Sequence, residues 1–270
     1  ADPMNCDWTT SQDVKLTFTD RLGSGFKNYQ YAITDSQEEP DTYSSPIAKD
    51  EDTITIDEDG IKYLHIIATD NAGNTSRDRV VGPYYIDKTP PTGTIDYNPK
   101  EWVIDEVVLD WNFEDSGIGL QKVTLPNGQT VEETSSGKYT VYENGTYNFE
   151  AYDKLGNHQT ISIQISNIDK IEPIISLSQR TSEWTGETTI VSWECTDDQS
   201  GFKEILLPDG TSSKEKTGEF TTEQVGTFTF VAYDNVGNKK SVNINIQNID
   251  KVQPELQLSK NTEEWTNEDV

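Results

Sequence analysis

The sequence predicts an all-β fold, in which small antiparallel two-sheet sandwiches follow one another in an elongated tandem array. Two observations carry this prediction: a repeat of about 81 residues, and alternating apolar residues inside every repeat. The chain is also rich in Thr, Ser, Asn, Val, Ile and Tyr, a composition that favours strands. No stretch has a convincing helical period.

Three sequence markers establish the repeat. The turn Asp-x-x-Gly-Asn places its glycine at Gly73, Gly156 and Gly237, which are 83 and 81 residues apart. The other two markers keep nearly the same spacing, except for a longer interval near the start. They are Ile-Asp-Lys at Ile86, Ile168 and Ile249, and a tryptophan at Trp8, Trp102, Trp184 and Trp265.

Alternating apolar residues on both sides of each glycine turn predict an antiparallel hairpin, with Gly or Asn in the left-handed position. Another alternating strand comes early in each repeat and ends at Asp20, Asp115 or Asp197. Two further hairpins are predicted at Leu-Pro-Asn-Gly (125–128) and Leu-Pro-Asp-Gly (207–210). About seven short strands per repeat fit an immunoglobulin-like sandwich.

These markers divide the chain into repeat 1 (1–88), repeat 2 (89–170), repeat 3 (171–251) and the start of a fourth repeat (252–270). Ala1-Asp2-Pro3-Met4 resembles a scar from a secretory expression vector, and we exclude it from fold reasoning. Repeat 1 carries an insertion (35–52), interpreted either as a tolerated surface loop or as part of a binding face. It also lacks the first strand of the other repeats. The open edge that results invites strand donation by a neighbour, such as the 252–270 tail of another copy.

The charge and the cysteines exclude several classes of protein. With 21 Lys and Arg against 48 Asp and Glu, the net charge is −27, and the basic footprint of a nucleic-acid binder is missing. The same charge disfavours an anionic membrane surface, and no apolar window is long enough to span a bilayer. Cys6 and Cys195 lie at non-equivalent positions, which argues against a disulfide between them. Cys195 alternates with Val191 and Trp193, so we expect it to be buried.

The motifs Asp-x-x-Ser-Gly, Ala-x-Asp-x-x-Gly-Asn and Ile-Asp-Lys-x-x-Pro resemble those of the bacterial immunoglobulin-like repeats of surface adhesins. The resemblance covers essentially the whole chain and implies an extracellular location on a bacterial surface. In some such adhesins a junctional Asp binds Ca²⁺; the matching residues here are Asp87, Asp169 and Asp250, near the turn acids Asp70, Asp153 and Asp234. Two alternatives stay open: the following lysines (Lys88, Lys170, Lys251) neutralise these acids, or the turn acids only accept backbone N–H groups.

Candidate binding residues come from aromatic side chains. The repeated tryptophans are expected to pack in the core or at junctions, since a single ligand would not need one in every repeat. Aromatic residues confined to one repeat are better candidates for contacts with a ligand: Tyr43, Tyr84 and Tyr85. We expect no catalytic residue, because the sequence shows no Ser-His-Asp set, phosphate-binding loop or metalloprotease motif.

Three functions remain: an array that binds a host protein, a passive and Ca²⁺-stiffened stalk, and an accessory module of a secreted carbohydrate-active enzyme. The strong differences among repeats favour binding. Superantigen-like immunoglobulin-binding surface proteins of gut commensals fit this picture, and this resemblance implies the Fab portion of an antibody as partner. Other than Ca²⁺, no cofactor is expected.

Overall fold

The computed structural model describes residues 7–20 and 23–259. These residues form nineteen strands in six antiparallel sheets and no helix, which confirms the predicted all-β, immunoglobulin-like class. Consequently none of the described residues belongs to a helix that could cross a membrane.

Repeat 1 has five strands. Sheet β1-β3 lies in one layer and sheet β2-β4-β5 in the other, and the core between them contains Tyr29, Ile56 and Leu64. Among the described residues, β1 pairs with β3 alone. The strands are β1 (Gln12–Thr17), β2 (Phe26–Thr34), β3 (Glu51–Ile56), β4 (Gly60–Asp70) and β5 (Arg79–Ile86).

Repeat 2 has seven strands, in a three-stranded sheet of order β10-β7-β6 and a four-stranded sheet of order β12-β11-β8-β9. Strand β7 alternates strictly, so Leu109, Trp111 and Phe113 are buried. The strands are β6 (Thr92–Asn98), β7 (Val107–Glu114), β8 (Leu120–Thr124), β9 (Thr130–Glu132), β10 (Ser136–Val141), β11 (Gly145–Asp153) and β12 (His158–Ile165).

Repeat 3 repeats this arrangement, with sheets of order β13-β14-β17 and β16-β15-β18-β19. Its core contains Trp193, Phe230 and the buried free thiol of Cys195, whose pKa burial raises to about 11. The strands are β13 (Ile174–Gln179), β14 (Thr189–Thr196), β15 (Phe202–Leu206), β16 (Ser212–Ser213), β17 (Thr217–Thr222), β18 (Gly226–Asp234) and β19 (Lys239–Ile246).

The predicted turns form as expected. Gly73, Gly156 and Gly237 have φ values of 90°, 91° and 104°, the left-handed region that favours glycine. The Leu-Pro-Asn-Gly and Leu-Pro-Asp-Gly segments connect β8 to β9 and β15 to β16.

By its contacts the chain divides into two compact units, one of Ala1–Lys100 with Glu106–Ser166 and one of Glu101–Asp105 with Asn167–Val270, each taken over its described residues. The short segment 101–105 joins the second unit through a bridge between Val103 and Ile168. The three-repeat boundaries therefore stay a prediction from the sequence.

Candidate functional site

The outward face of sheet β2-β4-β5 in repeat 1 is unusual in composition. Along β4, Leu64 and Ile66 point into the core, so the side chains at the alternate positions 61, 63 and 65 point outward. These outward residues are Ile61, Tyr63 and His65. Except for His65, they are apolar or aromatic.

Repeats 2 and 3 carry mostly polar residues on the corresponding faces. The outward positions of β11 begin with Thr146 and Asn148, and those of β18 begin with Thr227 and Thr229. The neighbouring strands add the outward residues Thr160, Ser162, Gln164, Ser241, Asn243 and Asn245. Small polar residues suit a face in contact with water, so the apolar face of repeat 1 indicates another environment.

The inserted segment of repeat 1 is more ordered than a surface loop. Between β2 and β3, Ile47 exchanges both backbone hydrogen bonds with Tyr29 (2.8 and 3.0 Å). Ser44 donates its N–H to the carbonyl of Tyr31 at 2.7 Å. The insertion therefore extends the sheet beyond β2, and its last two residues already belong to β3.

His65 connects this segment to the sheet. The ring is completely buried, with Nδ1 2.7 Å from a carboxylate oxygen of Asp78 and Nε2 2.9 Å from the carbonyl of Ser36. Burial alone would lower the His65 pKa, but the bonds to Asp78 and Ser36 and the nearby carboxylates outweigh it, so the pKa is raised. An imidazolium can donate to both acceptors at once, which ties three chain segments together.

Thr34, His65 and Asp78 also resemble a nucleophile, a base and an orienting acid, since the Thr34 hydroxyl lies 3.1 Å from Nε2. That hydroxyl, however, donates to the carbonyl of Ser36 at 2.7 Å, and His65 has no exposed surface. A nucleophile must give its proton to the base and reach a substrate. The arrangement therefore serves to hold the segment rather than to catalyse.

The three predicted tyrosines lie in different environments. The hydroxyl of Tyr43 is buried beside Asp78, and burial and this carboxylate raise its pKa to about 12. Tyr84 packs partly against the core, and burial raises its pKa. Tyr85 is half-buried: it pairs opposite Ile61 and contacts the Trp8 ring at 5.4 Å. Of the three, Tyr85 is thus the best placed for an outside contact.

The repeat-1 face, as we use the term, consists of Trp8, Ile61, Val80 and Tyr85. Ile61 is 42% exposed and Val80 39% exposed. Arg79 and Arg77 lie next to it, at and just before the start of β5. Both are exposed, and neither forms an ion pair with another described residue.

The tryptophan prediction was wrong for two of the four residues. Trp184 is 72% exposed and Trp102 38% exposed, whereas Trp8 is half-buried on Tyr85; Trp265 lies outside the described residues. What recurs is the backbone beside each tryptophan. Thr9, Val103 and Thr185 each form a parallel bridge to the isoleucine of an Ile-Asp-Lys motif. The marker therefore reports a backbone position and not a buried side chain.

Two carboxylate clusters lie where repeats meet along the chain. In one, Asp87, Asp115 and Asp153 place one oxygen each within 4.8 Å of the others; in the second, Asp169, Asp197 and Asp234 do the same. In each cluster the first and third residues are almost completely buried. Burial raises the pKa of Asp115, and the negative charges of Asp87 and Asp153 raise it as well. Hydrogen bonds from backbone N–H groups lower this pKa but do not outweigh the other two effects.

Hydrogen bonds from backbone N–H groups stabilise some of the carboxylates in these clusters. Asp153 accepts from Leu155 and Asn157, which supports the turn-capping interpretation. Asp87 accepts from Ile118 at 2.7 Å, and Gly117 makes room, because a Cβ there would lie 2.0 Å from an Asp87 oxygen.

The alternative that the lysines neutralise the junctional acids was wrong for Lys88 and Lys251, because both pair with other carboxylates. The ammonium of Lys88 lies 3.2 Å from Asp57, and that of Lys251 lies 2.9 Å from Glu223. Among the described residues, no ion pair joins a member of either cluster to a lysine or arginine.

The predicted cation residues are only partly brought together. Asp87 meets the turn acid of the next repeat, Asp153, and not Asp70 of its own. Asp250 is exposed and belongs to neither cluster. The sequence interpretation missed Asp115 and Asp197, although each ends an early strand at a recurring position. Near the second cluster, the side-chain oxygens of Gln199 and Ser200 are buried without a hydrogen-bond partner.

Neither protein-family models nor curated protein sequences give a match to this chain. Among solved structures, a 1.5-MDa bacterial ice-binding adhesin is 12% identical over 86% of this chain and 88% of its own, with a TM-score of 0.35. A tetra-tandem repeat from the extending region of a large adhesion protein is 18% identical (90% and 71% covered, TM-score 0.27). Fibronectin(III)-like modules of Clostridium thermocellum CbhA are 14% identical (62% and 100% covered, TM-score 0.27). At these scores the matches assign no function to the chain.

Proposed function

We propose that this chain belongs to a non-enzymatic protein of a bacterial cell surface and that the repeat-1 face binds a host protein. One observation carries the proposal: the outward sheet face is apolar and aromatic in repeat 1 but mostly polar in repeats 2 and 3. Exposed apolar groups grouped on one face mark interaction sites in soluble proteins.

The chemistry of the face indicates the kind of partner. Trp, Tyr and Arg are the residues most enriched among energetically dominant interface contacts. Trp8 and Tyr85 supply the aromatic part, and the exposed Arg77 and Arg79 supply the cationic rim. We infer a protein surface with an apolar centre and carboxylates beside it. The Fab portion of antibodies is the first partner to test, following the superantigen-like interpretation.

Binding is measured by biolayer interferometry of the immobilised chain against polyclonal human Fab, fibronectin and mucin. We expect saturable binding of Fab, weakened at least about tenfold by Ile61→Asp with Val80→Asp, because a charge in a desolvated contact costs well over 1.4 kcal/mol. Thr146→Asp with Thr160→Asp is the matched control on the polar face of repeat 2 and should bind like the parent. Equal losses of affinity in both variants, or no binding of any of the three probes, would favour the stalk function instead.

The stalk is the second candidate, and the carboxylate clusters favour it. The six Asp residues form two equivalent groups, and none of them pairs with a described lysine or arginine. This is the oxygen-rich environment that Ca²⁺ prefers. We propose that Asp87, Asp115 and Asp153 hold one ion and Asp169, Asp197 and Asp234 a second. A bound Ca²⁺ would offset two of the three converging negative charges and would link chain segments from consecutive repeats.

A further inference from the structure

Strand β1 differs from its counterparts in having one paired edge. In repeat 2, β7 lies between β6 and β10, and in repeat 3, β14 lies between β13 and β17. In the described part of repeat 1, β1 pairs with β3 alone. Within residues 7–20 and 23–259, the edge that β6 and β13 cover elsewhere has no partner strand, and an unpaired edge is a template for another strand.

The sequence that would fill such an edge occurs once more in the chain. Strands β6 and β13 both follow Ile-Asp-Lys-x-x-Pro, and the same motif precedes residues 255–259. Leu258 corresponds to Leu177, and Ser259 to Ser178, each 81 residues apart. Yet Leu256 is 82% exposed and Leu258 88% exposed, and neither lies in a strand. A strand-forming segment with two exposed leucines therefore complements an edge that has no partner among the described residues.

We propose that residues 255–259 of one copy of this chain pair antiparallel with β1 of a second copy. Repeat 3 fixes the register, since Leu177 lies opposite Trp193 and Ile175 opposite Cys195. Leu16 and Phe18 take the places of Trp193 and Cys195 in repeat 1. Leu258 then lies opposite Leu16, Leu256 opposite Phe18, and Gln257 opposite Thr17 on the outward face.

The donor and acceptor surfaces are different parts of the molecule, so the contact is heterologous. Such contacts produce open chains, or rings where the rotation closes, rather than a symmetric dimer. The assembly uses β1 and not the repeat-1 face on β4 and β5, so it is independent of the proposed function.

Assembly is tested by sedimentation of the full chain from low micromolar concentration to its solubility limit. We expect the mass to rise with concentration, and Leu258→Asp to abolish the rise while the circular dichroism spectrum stays unchanged. Val252→Asp is the matched control, because Val252 is 83% exposed but corresponds to Ile171, which lies before β13. A chain that stays monomeric throughout, or a mass rise that survives Leu258→Asp, overturns the proposal.

The register is tested by disulfide cross-linking in a Cys6→Ser background, with Cys195 buried. Thr17→Cys with Gln257→Cys should cross-link into dimers and larger species. Lys15→Cys with Gln257→Cys, two residues out of register, should cross-link several-fold less. Equal cross-linking of the two pairs would show random encounter instead of strand pairing.

Discussion

Single residues decide how the insertion of repeat 1 is held. A buried histidine is stable only when both ring nitrogens have partners, and here Asp78 and the Ser36 carbonyl supply them. Because the folded-state pKa of His65 is raised above its usual value of about 6.5, the protonated form stabilises the fold. That contribution is fully present below about pH 6.5 and is lost as the pH rises through the folded-state pKa.

We therefore expect the urea stability of repeat 1, followed by the amide NMR signals of β4, to fall as the pH rises from about 6 to about 9. His65→Gln should be less stable at about pH 6 and should lose the dependence. His158, the other histidine, is exposed and its replacement by Gln should keep the parent's profile. A parent protein whose stability is flat over this range would contradict the role given to His65.

Gly218 is needed for a packing reason. A Cβ at this residue would lie 2.4 Å from the ring of Trp193, which crosses over it. We expect Gly218→Ala to destabilise repeat 3 by about 1–3 kcal/mol through overpacking. Gly186→Ala, whose Cβ would meet its nearest atom at 3.6 Å, should change stability by under about 0.5 kcal/mol. Urea unfolding curves of the two variants make the comparison, and similar midpoints would refute the packing argument.

Individual strands and turns were the most predictable part of the molecule. Strict alternation in β7, β14 and β19 identifies buried residues because a strand has only two faces. The insertion was not predictable, since residues 44–47 show no alternation. Ser44 and Ile47 pair with β2 through their backbone, which no side-chain pattern reveals. The clusters were half predicted: Asp87 and Asp153 stand out by motif, but their meeting with Asp115 depends on the packing of consecutive repeats.

The two carboxylate clusters predict that Ca²⁺ stabilises the fold. Millimolar Ca²⁺ at fixed ionic strength should raise the thermal unfolding temperature, because a ligand that binds only the folded state stabilises it by mass action. Calorimetry should find two ions per chain, and Asp197→Asn should leave one. Asp198→Asn removes the neighbouring, exposed carboxylate, which lies outside the cluster, and should keep both. Unchanged stoichiometry in Asp197→Asn would show that this cluster does not hold the ion.

For the whole molecule, the excess of acidic residues sets the balance of charge. The chain has 48 acidic and 21 basic residues, and most ion pairs of the described residues involve exposed partners. Exposed pairs contribute about 0–1 kcal/mol each, so they do not offset the repulsion among the remaining carboxylates. The folded protein is therefore under electrostatic strain that dissolved salt can screen.

We expect NaCl, raised from about 0.02 to about 0.2 M, to increase the thermal unfolding temperature of the chain, since the Debye length falls well below the spacing of distant carboxylates. Screening acts on every repeat, whereas Ca²⁺ at constant ionic strength should act through the two clusters alone. Asp197→Asn should thus keep the NaCl effect while losing part of the Ca²⁺ effect, which separates the two kinds of electrostatics in one calorimetric series. An unfolding temperature that falls with NaCl would mean that ion pairs outweigh repulsion, and that the acidic surface is a network of favourable contacts.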